Sequence, residues 1–370
     1  SGLVVVGPAD PADVAREEYA PALAALGAAA GFPVLADALS TLRYGSHVAD
    51  APVLGSYDGY VDALLDAVDP EFVLRFGASP TSKPLRKGLA ARDVRQVLVD
   101  PAGEWRDAEF VADTLLAADP VHVARGVADR LADRERATGT DRDAVVDRAL
   151  AMDDAFAAAV ADARDDDSVG AFEGAVLADA VANAPEPATV VVGNSMPVRD
   201  ADRFATASER DVTVLANRGA SGIDGVTSTA LGAGSATDDA LVYVTGDLAF
   251  YHDMNGLLSL SRCDVDATMI VVNNDGGGIF QELPISEFDP PFTEQFQTPH
   301  GIDFESTGDL YGFAFERVPV DAFASAFRDA VDAEGSHVLE VGFDAAASHD
   351  ARDVVTERAR ERARSAGETR

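Results

Sequence analysis

The sequence predicts an α/β protein made of two doubly wound domains, each a parallel sheet covered by helices. Three observations carry that expectation. The chain has 370 residues, 47% of them apolar, enough for two cores in domains of roughly 150–200 residues. Short apolar runs alternate with helical stretches in both halves. Between the halves, Asp129–Asp167 is charged and Ala-rich with no strand signal. A boundary is therefore expected near residue 165, giving domains 1–165 and 166–370.

In the first half, Leu3–Gly7 reads as a buried strand. Asp10–Ala30 reads as a helix, with Asp10 as N-cap and Pro11 in the first turn. Pro33–Ala36, Phe72–Phe76 and Val94–Asp100 read as strands; Tyr60–Val68, Lys83–Ala90 and Glu109–Ala118 read as helices. Asp141–Ala163 is helical, and the acidic Arg164-Asp165-Asp166-Asp167-Ser168 is a linker. In the second half, Thr189–Gly193, Val212–Ala216, Ala240–Thr245, Thr268–Asn273 and Val338–Val341 are the predicted strands. Phe172–Asn183, Met254–Leu260, Val320–Glu334 and Ala351–Arg364 are the predicted helices. A strand that opens almost at the first residue is unusual for a complete protein, so the expectation is a truncated one.

Composition narrows the partners. The formal net charge is −35, from 64 acidic and 29 basic residues spread along the chain. Such a surface repels nucleic acid and anionic membrane. The excess of Asp, with basic residues mostly Arg, suggests a halophile's surface. No apolar run is long enough for a membrane span. The single cysteine, Cys263, allows no internal disulfide and reads as a packed small residue. Cytoplasmic residence is the expectation.

The chemistry concentrates in two segments that follow apolar strands. Thr245-Gly246-Asp247-Leu248 is separated by 24 residues from Asn273-Asn274-Asp275-Gly276-Gly277-Gly278. In an open parallel sheet, ligands bind beyond the carboxyl ends of strands. Asp247 offers a carboxylate, Asn274 an amide oxygen, and Gly276 a backbone carbonyl exposed by an unusual backbone angle. Three hard oxygens, completed by phosphate and water, suit Mg²⁺ or Mn²⁺. The N–H groups that follow can cradle phosphates.

Gly-Asp followed some two dozen residues later by Asn-Asn resembles the signature of thiamine diphosphate enzymes. Further segments sharpen the resemblance: Val192-Gly193-Asn194-Ser195-Met196-Pro197-Val198-Arg199, Asn217-Arg218-Gly219-Ala220-Ser221-Gly222-Ile223-Asp224-Gly225, Gly277-Gly278-Ile279-Phe280, and Arg75-Phe76-Gly77 with Thr81-Ser82-Lys83. Together they resemble the 2-succinyl-5-enolpyruvyl-6-hydroxy-3-cyclohexene-1-carboxylate synthase family of menaquinone biosynthesis, over essentially the whole chain. That resemblance implies thiamine diphosphate and Mg²⁺ as cofactors, with 2-oxoglutarate and isochorismate as substrates. It implies decarboxylation of the first and conjugate addition of a succinyl carbanion equivalent to the second. It also implies a transhydrogenase-like central domain, a diphosphate-binding domain, and a homodimer or homotetramer at full length.

Residue by residue, the resemblance implies cofactor contacts at Asn194, Ser195, Ile223, Gly246, Asp247, Leu248, Asn274, Gly276 and Gly277. Asp247, Asn274 and Gly276 would hold the metal, and Ile223 would wedge the cofactor into its bent shape. Lys83, Ser195, Arg199, Arg218, Ile279, Phe280 and Leu283 would face substrate. Arginine suits carboxylates because it can donate two parallel hydrogen bonds. Ser195 reads equally as the cap of the helix that follows, and Leu283 equally as core. Pro84 stands where some members carry Arg; Arg86 could restore that charge. His252 and His300 read as structural. Glu287–Phe304 reads as a lid or as a packed crossover. The activating glutamate of the family would lie in a domain preceding Leu3, so the chain alone is expected to be inactive. Two other readings stand beside this one: another thiamine diphosphate 2-oxo acid enzyme of acetolactate synthase or decarboxylase type, and a non-catalytic binding module with a degenerate site.

Overall fold

The computed structural model describes residues 1–9, 16–132, 140–166 and 168–368. It divides into two units, each described by itself. The first comprises Ser1–Ala163, Asp202–Arg210 and Val355–Arg370; the second comprises Arg164–Ala201 and Asp211–Val354. Among the described residues no helix is long and apolar enough to cross a membrane.

The first unit is built on β1 (Gly2–Val6), β2 (Val34–Ala36), β3 (Val53–Leu54), β4 (Phe72–Phe76), β5 (Arg95–Asp100) and β6 (Thr114–Ala117). They align in the order β3-β2-β1-β4-β5-β6, all parallel. Helices α1 (Arg16–Ala30), α2 (Val61–Val68), α3 (Lys83–Ala90), α4 (Pro120–Ala132) and α5 (Thr140–Arg164) accompany the sheet. Strand β1 is buried along its length because it is central, which is why it reads as an unbroken apolar run. Val4 and Val6 pack with Tyr19, Leu23 and Leu26 of α1 and with Phe76. The expected cap at Asp10 and turn at Pro11 lie outside the described residues.

The predicted helix Glu109–Ala118 does not form; its last residues are the edge strand β6. The cause is tertiary. Arg75 of β4 sets a buried guanidinium 2.9 Å from Asp107. The Asp107 carboxylate also accepts the N–H groups of Val111 (2.7 Å) and Ala112 (2.8 Å), which closes a turn where a helix would run. Helix propensity is a weak prior against such anchors. Helix α4, which the sequence reading left unassigned, follows at once, with Asp119 accepting the His122 N–H at 2.6 Å.

Asp107 supplies a stability prediction. Burial alone would raise its carboxyl, but the N–H of Ala112, the Arg75 guanidinium and the N–H of Val111 overcome it and hold it below the usual aspartate range. Asp107→Ala leaves Arg75 buried with only the Gln96 amide oxygen and no charged partner, and should cost about 3 kcal/mol in urea unfolding at neutral pH. A depressed carboxyl contributes stability above its unfolded value and loses it as pH falls through the folded value. The gap between wild type and variant should therefore narrow only in acid, below the ordinary aspartate range. A gap that stays constant into strong acid would contradict this.

The second unit contains α6 (Glu173–Ala182), β7 (Ala188–Val192), α7 (Met196–Phe204), β8 (Val212–Leu215), α8 (Val226–Gly234), β9 (Ala240–Gly246), α9 (Asp247–His252) and α10 (Leu258–Cys263). It continues with β10 (Thr268–Asn273), α11 (Ser306–Tyr311), β11 (Ala314–Arg317), α12 (Phe323–Val331), β12 (His337–Gly342) and α13 (Ala345–Glu368). Helices α5, α7 and α13 have residues in both units, α5 by its last residue alone. The sheet order is β11-β12-β10-β9-β7-β8, again all parallel. Tyr243, Phe250, Met269, Phe304 and Val338 fill its core. Helix α7 is the one expected to follow Ser195; helices α8, α9 and α11 and strand β11 were not read from the sequence. Cys263 is exposed, not packed, because it ends α10 just before Asp264 turns the chain left-handed. Chain order reverses between β7 and β9, so the ligand crevice of a doubly wound sheet belongs at their carboxyl ends.

Candidate functional site

Three adjacent strands deliver the predicted cofactor residues to that reversal. Strand β7 ends just before Asn194, β9 ends at Gly246 and Asp247, and β10 ends at Asn273, before Asn274. The β9–β10 register pairs Gly246 with Val272, so both loops leave the sheet at one level. Helix α9 begins at Asp247, which turns its carboxylate back over the strand ends.

Asp247 is almost fully buried and heavily held. Its Oδ1 accepts the Leu248 N–H at 2.7 Å, and its Oδ2 accepts the Gly276 N–H at 2.9 Å. The His300 Nε2 lies 3.1 Å from Oδ2. The Ile302 N–H donates to His300 Nδ1 at 3.0 Å, so Nδ1 is the acceptor and Nε2 carries the proton toward Asp247. Burial pushes the Asp247 carboxyl above the usual range, against these hydrogen bonds.

Asn274 is also buried. Its Nδ2 donates to Glu173 Oε1 at 2.9 Å, while its buried Oδ1 has no hydrogen-bond partner among the described residues. Glu173, the first residue of α6, is itself buried. Burial first, then the nearby Asp200 and Asp247, push its carboxyl up to about 7 against the Asn274 hydrogen bond. Asn194 repeats the pattern: Nδ2 donates to the Gly222 carbonyl at 3.4 Å, and its buried Oδ1 has no partner.

Gly276 has φ +149, and a Cβ there would lie 2.1 Å from the Gln297 carbonyl oxygen. Gly277 donates its N–H to the same carbonyl at 2.8 Å. Asp275 accepts the N–H groups of His300 and Gly301 at 3.0 and 2.7 Å. The loop after β10 is thus sewn to 297–301, which brings His300 onto Asp247. Gly246 is the opposite case: φ is −80 and nothing lies within 4 Å of where a Cβ would stand.

The other predicted residues spread around this centre. Ser195 takes a left-handed φ of +71, and its carbonyl accepts the Arg199 guanidinium. Arg199 projects from α7, and Arg218 is exposed in the loop after β8. Partial burial and then the charge of Arg218 lower the Arg199 guanidinium. Neither forms an ion pair among the described residues, although most arginines here do. Ile223, Ile279 and Phe280 are half-buried, and Leu283 is exposed, not core. Lys83 belongs to the first unit, exposed at the start of α3; Arg86 is spent on Glu109 at 3.1 Å. His252 pairs with Asp224 at 3.1 Å. In the 287–304 segment, Phe292 and Phe304 are buried, and Phe296 meets both Phe280 and Phe292.

Residues 197–341 match the family described as thiamine pyrophosphate enzyme, C-terminal TPP binding domain. A 2-succinyl-5-enolpyruvyl-6-hydroxy-3-cyclohexene-1-carboxylate synthase of Halobacterium salinarum is 55% identical over 357 residues, 96% of this chain and 59% of that protein. The chain belongs to this synthase family. The synthase of Haloarcula marismortui is 52% identical over 97% of this chain and 59% of its own length, and that of Roseiflexus castenholzii is 40% identical over 93% and 57%. The chain therefore spans about three fifths of the curated relatives it matches. Its haloarchaeal relatives agree with the acidic surface. A solved thiamine diphosphate-dependent 4-hydroxybenzoylformate decarboxylase of Rhodococcus jostii RHA1 superposes with a TM-score of 0.60 at 18% identity, covering 93% of this chain and 61% of that one; it speaks for the fold alone.

The residues fit the family's cofactor and divalent metal. The unpartnered Asn274 Oδ1 is the kind of atom a hard cation takes, and among the described residues buried Asp247 meets the His300 ring but no Lys or Arg. The open space beside Gly246 leaves room for a diphosphate at the N-terminus of α9. The sequence reading missed Glu173, which carries no motif, and took His300 as structural without its bond to Asp247.

Proposed function

We propose that the second unit holds thiamine diphosphate through a divalent cation bound by Asp247, Asn274 Oδ1 and the Gly276 carbonyl. The whole protein then decarboxylates 2-oxoglutarate and adds the succinyl unit to isochorismate, as the relatives' name suggests. The observation that carries the reading is the buried Asn274 Oδ1, without a partner among the described residues, on the loop whose Gly276 N–H bonds the buried Asp247 carboxylate. Thiamine diphosphate, when bound, supplies the carbanion-stabilising chemistry. The chain's own residues do the rest. Asn194 and Ser195 orient the diphosphate end, whereas the N–H groups of Leu248 and Gly277, which the sequence assigns to the cofactor, are already taken by Asp247 and the Gln297 carbonyl. Ile223 sets the bend. Ile279, Phe280 and Leu283 form an apolar wall that lowers local polarity. Arg199 and Arg218 receive substrate carboxylates, and the first unit we read as the central domain. A homodimer or homotetramer is proposed for the whole protein.

The test is an assay of the complete gene product with 2-oxoglutarate, isochorismate, thiamine diphosphate and Mg²⁺. Succinylated product is expected. Turnover of pyruvate alone, with none of isochorismate, would favour an acetolactate-type enzyme. Arg199→Ala and Arg218→Ala should each raise a substrate KM about 10- to 100-fold, the range of a charge-assisted hydrogen bond. KM values unchanged in both would remove the arginines from the substrate site.

A further inference from the structure

An asparagine ligand has an ambiguity that a carboxylate lacks. Rotating its amide by half a turn exchanges oxygen for nitrogen, and only the oxygen binds a cation. Something must fix the choice at Asn274. Glu173 comes from α6, 101 residues away in sequence, and is only 7% exposed. Its Oε1 accepts from Asn274 Nδ2 at 2.9 Å, which takes up the nitrogen side of the amide. Its own position is fixed: the Glu173 N–H donates to Ser348 Oγ at 3.1 Å. On another side the chain passes close to the amide at Gly278, where an added Cβ would sit 2.4 Å from Asn274 Nδ2. The amide is thus clamped, with Oδ1 left over and unpartnered.

Building on the metal reading above, we propose that Glu173 is a positioning residue that locks the Asn274 amide with its oxygen toward the cation. Groups that orient metal ligands from behind are worth roughly 10- to 100-fold in metal affinity. Glutamine at 173 keeps the shape but can donate as well as accept, so Asn274 is free to turn.

The test is titration of the 370-residue chain with Mn²⁺ in the presence of inorganic pyrophosphate, followed by electron paramagnetic resonance, with melting curves alongside. Glu173→Gln should weaken Mn²⁺ about 10- to 100-fold with little change in melting. The double variant Glu173→Gln, Asn274→Asp exchanges donor and acceptor: glutamine donates to one aspartate oxygen and the other faces the metal. Mn²⁺ binding should return to at least the wild-type level, a rescue that a merely structural role for Glu173 does not produce. If Glu173→Gln binds like wild type while Asp247→Ala loses binding, the positioning role is wrong and the metal site stands. If the double variant stays as weak as the single one, the positioning role is again wrong. If Asp247→Ala binds like wild type, or the wild-type chain binds no Mn²⁺, the metal site fails and this inference goes with it.

Discussion

Asp247→Ala is expected to weaken Mn²⁺–pyrophosphate binding by at least about 100-fold, because it removes the only carboxylate proposed to touch the cation. The substitution also frees the N–H groups of Leu248 and Gly276, which now share that carboxylate, so loss of the loop shape has to be separated from loss of charge. Asp247→Asn makes the separation. Its amide oxygen still accepts one of those N–H groups, and its size is unchanged, but the charge is gone. Isothermal titration should still find affinity down by about 10-fold or more for Asn, since a divalent ion in a buried site leans on formal charge. Wild-type affinity in Asp247→Asn would mean that the carboxylate serves the loop and not a metal.

Two glycines of the same site should respond in opposite ways. Gly276→Ala places a methyl 2.1 Å from the Gln297 carbonyl oxygen, at a φ of +149 that L-residues avoid. That carbonyl is backbone and also receives the Gly277 N–H, so it cannot simply swing aside. A loss of about 2–4 kcal/mol in chemical unfolding is expected, together with loss of Mn²⁺–pyrophosphate binding. Gly246→Ala meets nothing within 4 Å and has an ordinary φ of −80, so its melting temperature should match wild type. Its methyl nevertheless points into the space assigned to the diphosphate, so affinity should fall. A Gly246→Ala chain that binds normally would place the diphosphate elsewhere.

What the sequence disclosed and what it hid follow from how far each signal travels along the chain. Buried parallel strands such as Gly2–Val6 announce themselves, because both faces are covered and the residues run apolar without a break. The Gly-Asp and Asn-Asn pairs were legible because the residues that turn the backbone and those proposed to bind the ion are neighbours. Glu109–Ala118 misled because its local pattern is helical while its fate is set by Arg75, over thirty residues back. Edge strand β11 was missed because it is mostly exposed and carries two charges, Glu316 and Arg317, in four residues. Glu173 was invisible for a deeper reason. An acidic residue in the first turn of a helix is ordinary, and only the fold brings it against Asn274. His300 became interesting only once the loop after β10 was seen tied to 297–301.

A crystal of this chain soaked with Mn²⁺ and thiamine diphosphate would locate the ion by its anomalous scattering. The expected peak lies about 2.1 Å from an Asp247 carboxylate oxygen, from Asn274 Oδ1 and from the Gly276 carbonyl, with Asn274 Nδ2 still on Glu173. A peak elsewhere, or none while the diphosphate is visible at the end of β9, would contradict the site as described.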